Sequence, residues 1–421
     1  MTAELIRQVR LLDPVTQSDR VADVLLVDGV IQSVEAEIRD YPQDTQIRDG
    51  AGLILGTGLV DLYSHSGEPG HEERETIDSL AAAAIAGGFT RLTLLPDTRP
   101  AVDNPATVAW FQSQCQKFAV PKIQTWGALT LGVKGEQMTE LAELAESGIA
   151  GFTDGQPIQN MTLLRRLLEY GEGLAHPIAL WCCDRSLTGN GVVREGAESL
   201  RLGLPGSPDY SETAPLAALL ECVATIGTPV HIMRVSTARG VELIRHAKAA
   251  GLPVTASTTW MHLILNIEAV HSYDPSLHIE PPLGNPIDQA ALLEGIRSGV
   301  LDAIAIDHSP YTYEEKTVAF AESPPGAIGL ELALPLLWQE LVATEKLAAL
   351  TLWQALSTNP ARLLNQTPST LQAGQPAECV LFDPNESWEV NSRSLKSRST
   401  NTSWLNQTLQ GRVLQVWGGK L

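Results

Sequence analysis

Eight short apolar runs, most ending in polar residues and separated by Ala/Leu-rich stretches, occupy the middle of this 421-residue chain. They are GLVDLYSH (58–65), TRLTLLPD (90–97), IQTWGALT (123–130), IAGFTD (149–154), HPIALWCC (176–183), PVHIMRVS (229–236), LPVTAST (252–258) and DAIAIDH (302–308). Helical patterns intervene at 75–88, 160–173, 213–227 and 237–251, the last two closed by the glycine expected past a helix end. Strands alternating with helices predict an α/β fold with a parallel sheet, and eight of them predict a (β/α)8 barrel. Alternation alone does not show closure, so a doubly wound open sheet stands as the alternative.

Both ends of the chain read differently. ADVLLVDGVIQSVEA (22–36) alternates around an Asp-Gly hairpin signal, and AECVLFDP (377–384), SWEVN (387–391) and GRVLQVWGGKL (411–421) read as short strands. The expected organisation is therefore a small β domain built from residues 1–57 and 366–421, flanking a barrel of residues 58–365. The segment NSRSLKSRSTNTSWLNQT (391–408) is expected to be a solvated loop.

Composition excludes several function classes. The 29 Lys and Arg against 49 Asp and Glu give a net charge of −20, a field that repels nucleic acid and anionic lipid. The five cysteines form neither a Cys-x-x-Cys zinc pattern nor a disulfide framework, and Cys182 and Cys183 are expected to be buried rather than nucleophilic. The start lacks a signal-type apolar region and no run approaches the length of a membrane span, so a cytoplasmic protein is expected. GGFT and GLPG lack the spacing of a phosphate-binding loop.

In such a barrel the C-terminal ends of the strands line the mouth where chemistry occurs. That rule selects Asp61, Tyr63, His65, Asp97, Asp154, Trp181, Cys182, Cys183, Asp184, Arg234, Asp307 and His308. Tyr63 and His65 are two apart on a strand and so share a face. Two histidines at that spacing would suggest a metal site; a tyrosine and a histidine do not.

With GLVDLYSHSGEPG (58–70) stand GGFTRLTLLPDTRPAVDN (87–104), RLGLPGSP (201–208), VSTARGVELIRHAKAAGLPVTA (235–256), EPPLGNPIDQAALLEGI (280–296), IAIDHSPYTYEEK (304–316), SPPGAIGLELALPLL (323–337) and STNPARLLN (357–365). On these motifs the chain resembles the dihydroorotase branch of the amidohydrolase superfamily along nearly its whole length. The resemblance implies an amidohydrolase-type barrel with a small β domain from both termini. It also implies an ancestry in which zinc-activated water opens a cyclic amide.

Position by position, the implied metal set is depleted. Tyr63, Trp181 and Arg234 occupy places where the family carries histidines, leaving His65, Asp154 and Asp307 as residual ligand positions, with Asp307 matching the metal-bound general base. The implied substrate grip is altered as well: Gly67 stands for an arginine, Asp97 for an asparagine and Tyr311 for a histidine, with Glu280 and Gly284 as further departures. Trp181 offers no lone pair and Arg234 brings a permanent positive charge.

The expectation is therefore no cofactor, with Asp154 and Asp307 pairing with Arg234 in place of the metal's charge. His65 is expected to be a hydrogen-bonded interior histidine, His308 a support for its loop, Asp61 a structural acid, and His176, His231 and His262 packing residues. Non-catalytic homologues in the family associate with aspartate transcarbamoylase, so that enzyme is the expected partner, together with self-association into a homo-oligomer. The alternative is an active dihydroorotase, or another cyclic-amide hydrolase, using one zinc on His65, Asp154 and Asp307 with Asp307 catalytic.

Overall fold

The computed structural model describes residues 2–419. Parallel pairing joins Leu59–Ser64, Phe89–Leu94 and Lys122–Thr125 into one arc. Ile178–Trp181, Val230–Met233, Val254–Thr259 and Ala303–Ala305 form a second arc, also parallel. Phe152 bridges the two, pairing with Gly127 on one side and Ile178 on the other. At the remaining seam Asp307 N–H donates to the Tyr63 carbonyl at 3.1 Å and His65 N–H to the His308 carbonyl at 2.8 Å. The sheet thus closes on itself, and the open-sheet alternative is ruled out.

The fourth run departs from expectation. Instead of a strand over 149–154, a single bridging residue carries the pairing. The ladder persists as separate bonds from Ala150 N–H to Thr125 O, Phe152 N–H to Pro177 O and Thr153 N–H to Gly127 O. Gly151 explains the tight approach, because a Cβ there would lie 2.5 Å from the Trp126 ring.

The helices follow their local signals. Met161–Gly171 is capped by the Asn160 side chain and turns Leu163, Leu164, Leu167 and Leu168 inward, the spacing of one buried stripe. Ala238–Ala249 begins at Thr237, whose hydroxyl accepts from Gly240 N–H at 2.9 Å. Among the described residues no helix is long and apolar enough to cross a membrane.

The terminal segments pair into a seven-stranded sheet. Its order is Thr408–Gly418, Glu378–Glu389, Ile54–Thr57, Ala3–Asp13, Ser18–Val27 and Val30–Glu35, with Gln46–Asp49 also on Ala3–Asp13. Asp28 and Gly29, at φ +49° and +82°, make the two-residue hairpin turn that joins Ser18–Val27 to Val30–Glu35. Two contacts rivet this sheet to the barrel. Arg91 grips Glu378 through two 2.7 Å hydrogen bonds, and the Trp353 indole donates to Thr57 O at 2.9 Å across a gap that only glycine at position 56 permits.

Residues 391–408 are not the expected solvated loop. They cross the rim of the barrel mouth as a strap, with Leu395, Ser397, Ser399, Asn401 and Thr402 buried. Polar side chains of the barrel satisfy its backbone, which removes the usual reason for a loop to stay in water. Glu331 accepts from Lys396 and Ser397 N–H, and Glu75 from Arg398 N–H and the Ser397 hydroxyl. Asn401 donates to Ser309 O and Gly326 O at 2.9 and 3.2 Å and accepts from Tyr311 N–H at 3.2 Å. Replacing Asn401→Ala strands three backbone groups away from water, so urea denaturation should show a loss of about 2–3 kcal/mol.

Candidate functional site

The mouth is organised around Tyr63. Its side chain is fully buried on the barrel axis, where the hydroxyl accepts from Arg234 N–H at 3.2 Å and lies 3.1 Å from Ser257 Oγ. Its carbonyl accepts from Asp307 N–H at 3.1 Å. Arg234 and Asp307 both hold left-handed backbone, φ +54° and +53°, a conformation costing about 1 kcal/mol or more for a residue with a Cβ. Tyr63 therefore fastens both strained turns, one by its hydroxyl and one by its carbonyl.

Hydrogen-bond satisfaction fixes the direction of the chain behind it. Because the Tyr63 oxygen accepts from Arg234, its own proton goes to Ser257 Oγ, whose proton goes to His231 Nε2 at 2.9 Å. His231 is then the Nδ1–H tautomer, donating to Thr255 Oγ1 at 3.0 Å. Burial, aided by Lys248, pushes the His231 pKa down to about 3 and keeps the ring neutral.

From its strained turn Arg234 reaches across to Asp307. Nε donates to Oδ2 at 2.7 Å and Nη2 to Oδ1 at 2.6 Å, a bidentate pair that is almost wholly out of water, while Nη1 donates to Gly155 O at 2.7 Å. The guanidinium lies 4.9 Å from the Trp181 ring centre, and Trp181 carries a second guanidinium, Arg185, at 4.8 Å. Arg185 in turn is paired with Glu280.

His65 completes a quartet. Its Nδ1 is 2.6 Å from Asp97 Oδ2, and its Nε2 is 3.3 Å from Arg234 Nη2 and 3.6 Å from Asp307 Oδ1. Burial opposes a charge on the ring, but Asp97 and Asp307 outweigh it and raise the His65 pKa to about 9. Asp307 is also buried, yet Arg234 and His65 hold its carboxyl well below the usual range. Two basic side chains thus face two acidic ones, with Asp307 between His65 and Arg234.

Asp154 does not join this pair, contrary to expectation. Its carboxylate accepts from Thr130 N–H at 2.9 Å and from the Thr130 hydroxyl, and the neighbouring Gly155 carbonyl meets Arg234 instead. Burial pushes the Asp154 pKa up to about 6 against those bonds. His308 accepts from Gly329 N–H at 3.1 Å and faces Glu75 at 3.4 Å, holding its loop. Asp61 takes Ser64 Oγ at 2.5 Å and Ile306 N–H at 2.9 Å, and burial lifts its pKa to about 7. Burial also raises the thiols of Cys182 and Cys183, so neither is an activated nucleophile.

The donor set does not fit a zinc ion. Both Asp307 oxygens are spent on a guanidinium, His65 is engaged by Asp97, Asp154 points at Thr130, and an arginine and an indole fill the space. Among the described residues no group of three His, Cys, Asp or Glu is arranged to hold a metal.

The positions expected to contact an anion have other surroundings. At Gly67 a Cβ would lie 2.3 Å from Glu75 O and 2.5 Å from His71 O, so backbone, not merely side chain, closes that position. Gly284 is crowded by Asp288 at 2.6 Å. Tyr311 serves as a ring platform for Arg74 and Lys316 at 4.8 and 5.1 Å. A cavity of about 170 Å³ remains above the quartet. Sequence reasoning missed Ser257, Glu75 and Arg185, for which no local motif exists; only the folded barrel brings them to the site.

Arg234→Ala removes the bidentate partner of buried Asp307 and should cost about 3–5 kcal/mol in denaturant unfolding. His65 is protonated more readily in the folded state than at its ordinary pKa of about 6.5. Its contribution to stability is therefore complete below pH 6.5 or so and vanishes as pH rises through about 9. Histidine NMR titration should locate that midpoint, and Asp97→Asn should lower it.

A family model described as dihydro-orotase-like matches residues 52–239. A probable dihydroorotase-like protein of Synechocystis sp. is 44% identical, covering 97% of this chain and 98% of that protein. A dihydroorotase of Pelotomaculum thermopropionicum is 38% identical over 97% of this chain and 95% of its own. Among solved structures, the L-hydantoinase (dihydropyrimidinase) of Arthrobacter aurescens superposes with a TM-score of 0.85 at 20% identity, covering 100% of this chain and 98% of that one, a likeness of fold. The barrel, the terminal sheet and these full-length similarities together place the chain in the dihydroorotase-like family.

Proposed function

We propose that this protein is a non-catalytic dihydroorotase-like member of pyrimidine biosynthesis whose role is structural, as a partner of aspartate transcarbamoylase. The observation that carries the reading is the Arg234 guanidinium fastened to both oxygens of Asp307. A general base must hold a free lone pair toward the attacking water, and a carboxylate held this strongly ionised by an arginine is a poor proton acceptor. The frame around it is complete: closed barrel, riveted terminal sheet and buried strap all persist. An intact exterior around a neutralised centre favours selection for shape over turnover.

The other reading, a hydrolase with one zinc on His65, Asp154 and Asp307, requires Arg234 to leave Asp307 and Asp154 to leave Thr130. Each move abandons buried hydrogen bonds before any metal is gained.

Purified protein should carry zinc far below one equivalent and show no ring hydrolysis of dihydroorotate. Stoichiometric zinc with turnover abolished by Asp307→Asn would overturn the proposal. Tyr63→His should restore no activity, since Trp181 and Arg234 still occupy two positions and Gly67 cannot supply an arginine. Metal-free protein mixed with aspartate transcarbamoylase should sediment as one complex; separate boundaries at micromolar concentration would remove the partner assignment.

A further inference from the structure

The far end of the barrel, away from the mouth, holds a larger space. Between the entries to the strands Ile178–Trp181, Val230–Met233 and Val254–Thr259 lies a cavity of about 550 Å³. That volume falls in the range of small-molecule sites, which are characteristically apolar with a few polar groups. Leu174, Val230, Leu252 and Leu363 give it apolar walls, and His231 meets it at the base.

Two features set its chemistry. In a chain with 49 acidic residues, no Asp or Glu among the described residues lines this cavity. At its edge stands Arg362, exposed and, among the described residues, with no ion pair or side-chain hydrogen bond. The other polar side chains there are His231, saturated by Thr255 and Ser257, Thr228, which donates to Leu168 O, Asn365, which donates to Ala175 O at 3.1 Å, and His176, whose ring packs edge-on against Phe152. An unspent guanidinium beside an acid-free apolar hollow selects an anionic head on an apolar body.

We propose that this floor cavity binds a small amphipathic monocarboxylate, its hydrocarbon part among Leu174, Val230, Leu252 and Leu363 and its carboxylate on Arg362. The site is independent of the reading of the mouth. Its base is also the start of the chain from His231 through Ser257 to Tyr63, so the ligand would sit against the same polar column that fastens Arg234.

The test uses the full-length chain with hexanoate, hexylamine and hexanol as probes, followed by titration calorimetry and histidine-ring NMR. Hexanoate should bind saturably and shift the His176 and His231 rings while leaving His65 in place; hexylamine should not bind. Arg362→Gln, on the surface, should weaken hexanoate about tenfold, and Ala175→Trp at the exposed rim should abolish binding, both with unchanged melting temperature. Equal binding of hexylamine, indifference to both substitutions, or shifts confined to His65 would each overturn the assignment.

Discussion

A permanent charge sealed inside a protein must be matched or it unfolds its surroundings, and in this barrel the match between Arg234 and Asp307 dictates the arrangement of everything near it. The guanidinium spends its donors on Asp307 and Gly155, which fixes where two strand ends can stop. Both residues accept a left-handed backbone to meet, and Tyr63 holds both turns. His65 and Asp97 then extend the pair into a quartet of two basic and two acidic side chains. Pairs of this kind contribute little net stability against an apolar core but make partial loss severe, which is a reason for the whole set to persist together.

The same logic explains why the surrounding frame is intact. Barrel closure runs through Tyr63 and His65 themselves, whose backbones pair with Asp307 and His308. Two residues of the mouth therefore also belong to the seam. A residue there must leave the seam intact, and a buried tyrosine with a satisfied hydroxyl does so. The strap and the terminal sheet add restraints from outside through Asn401, Glu75 and Glu378.

Much of this was legible in the residues. Eight apolar runs announced the barrel, the Asp28-Gly29 pair announced its hairpin, and an arginine among strand-end acids announced the pairing of Arg234 with Asp307. Other features were not. Asp154 was expected on Arg234 because both lie at strand ends, but linear order says nothing about which way a carboxylate turns, and Thr130 offers two donors at closer range. The strap read as solvent-exposed because its own composition is polar; the carboxylates that satisfy it lie far off in the chain, Glu331 by 65 residues from Lys396 and Glu75 by 322 from Ser397. Asp154 and the strap fail for one reason, that long-range partners of polar groups leave no periodic trace.

Gly67 sets a limit on what its loop can carry. With the main chain of Glu75 and His71 drawn against it, any side chain introduced at that codon meets backbone rather than room. A longer residue there would demand remodelling of the whole turn, so the position is closed to single exchanges.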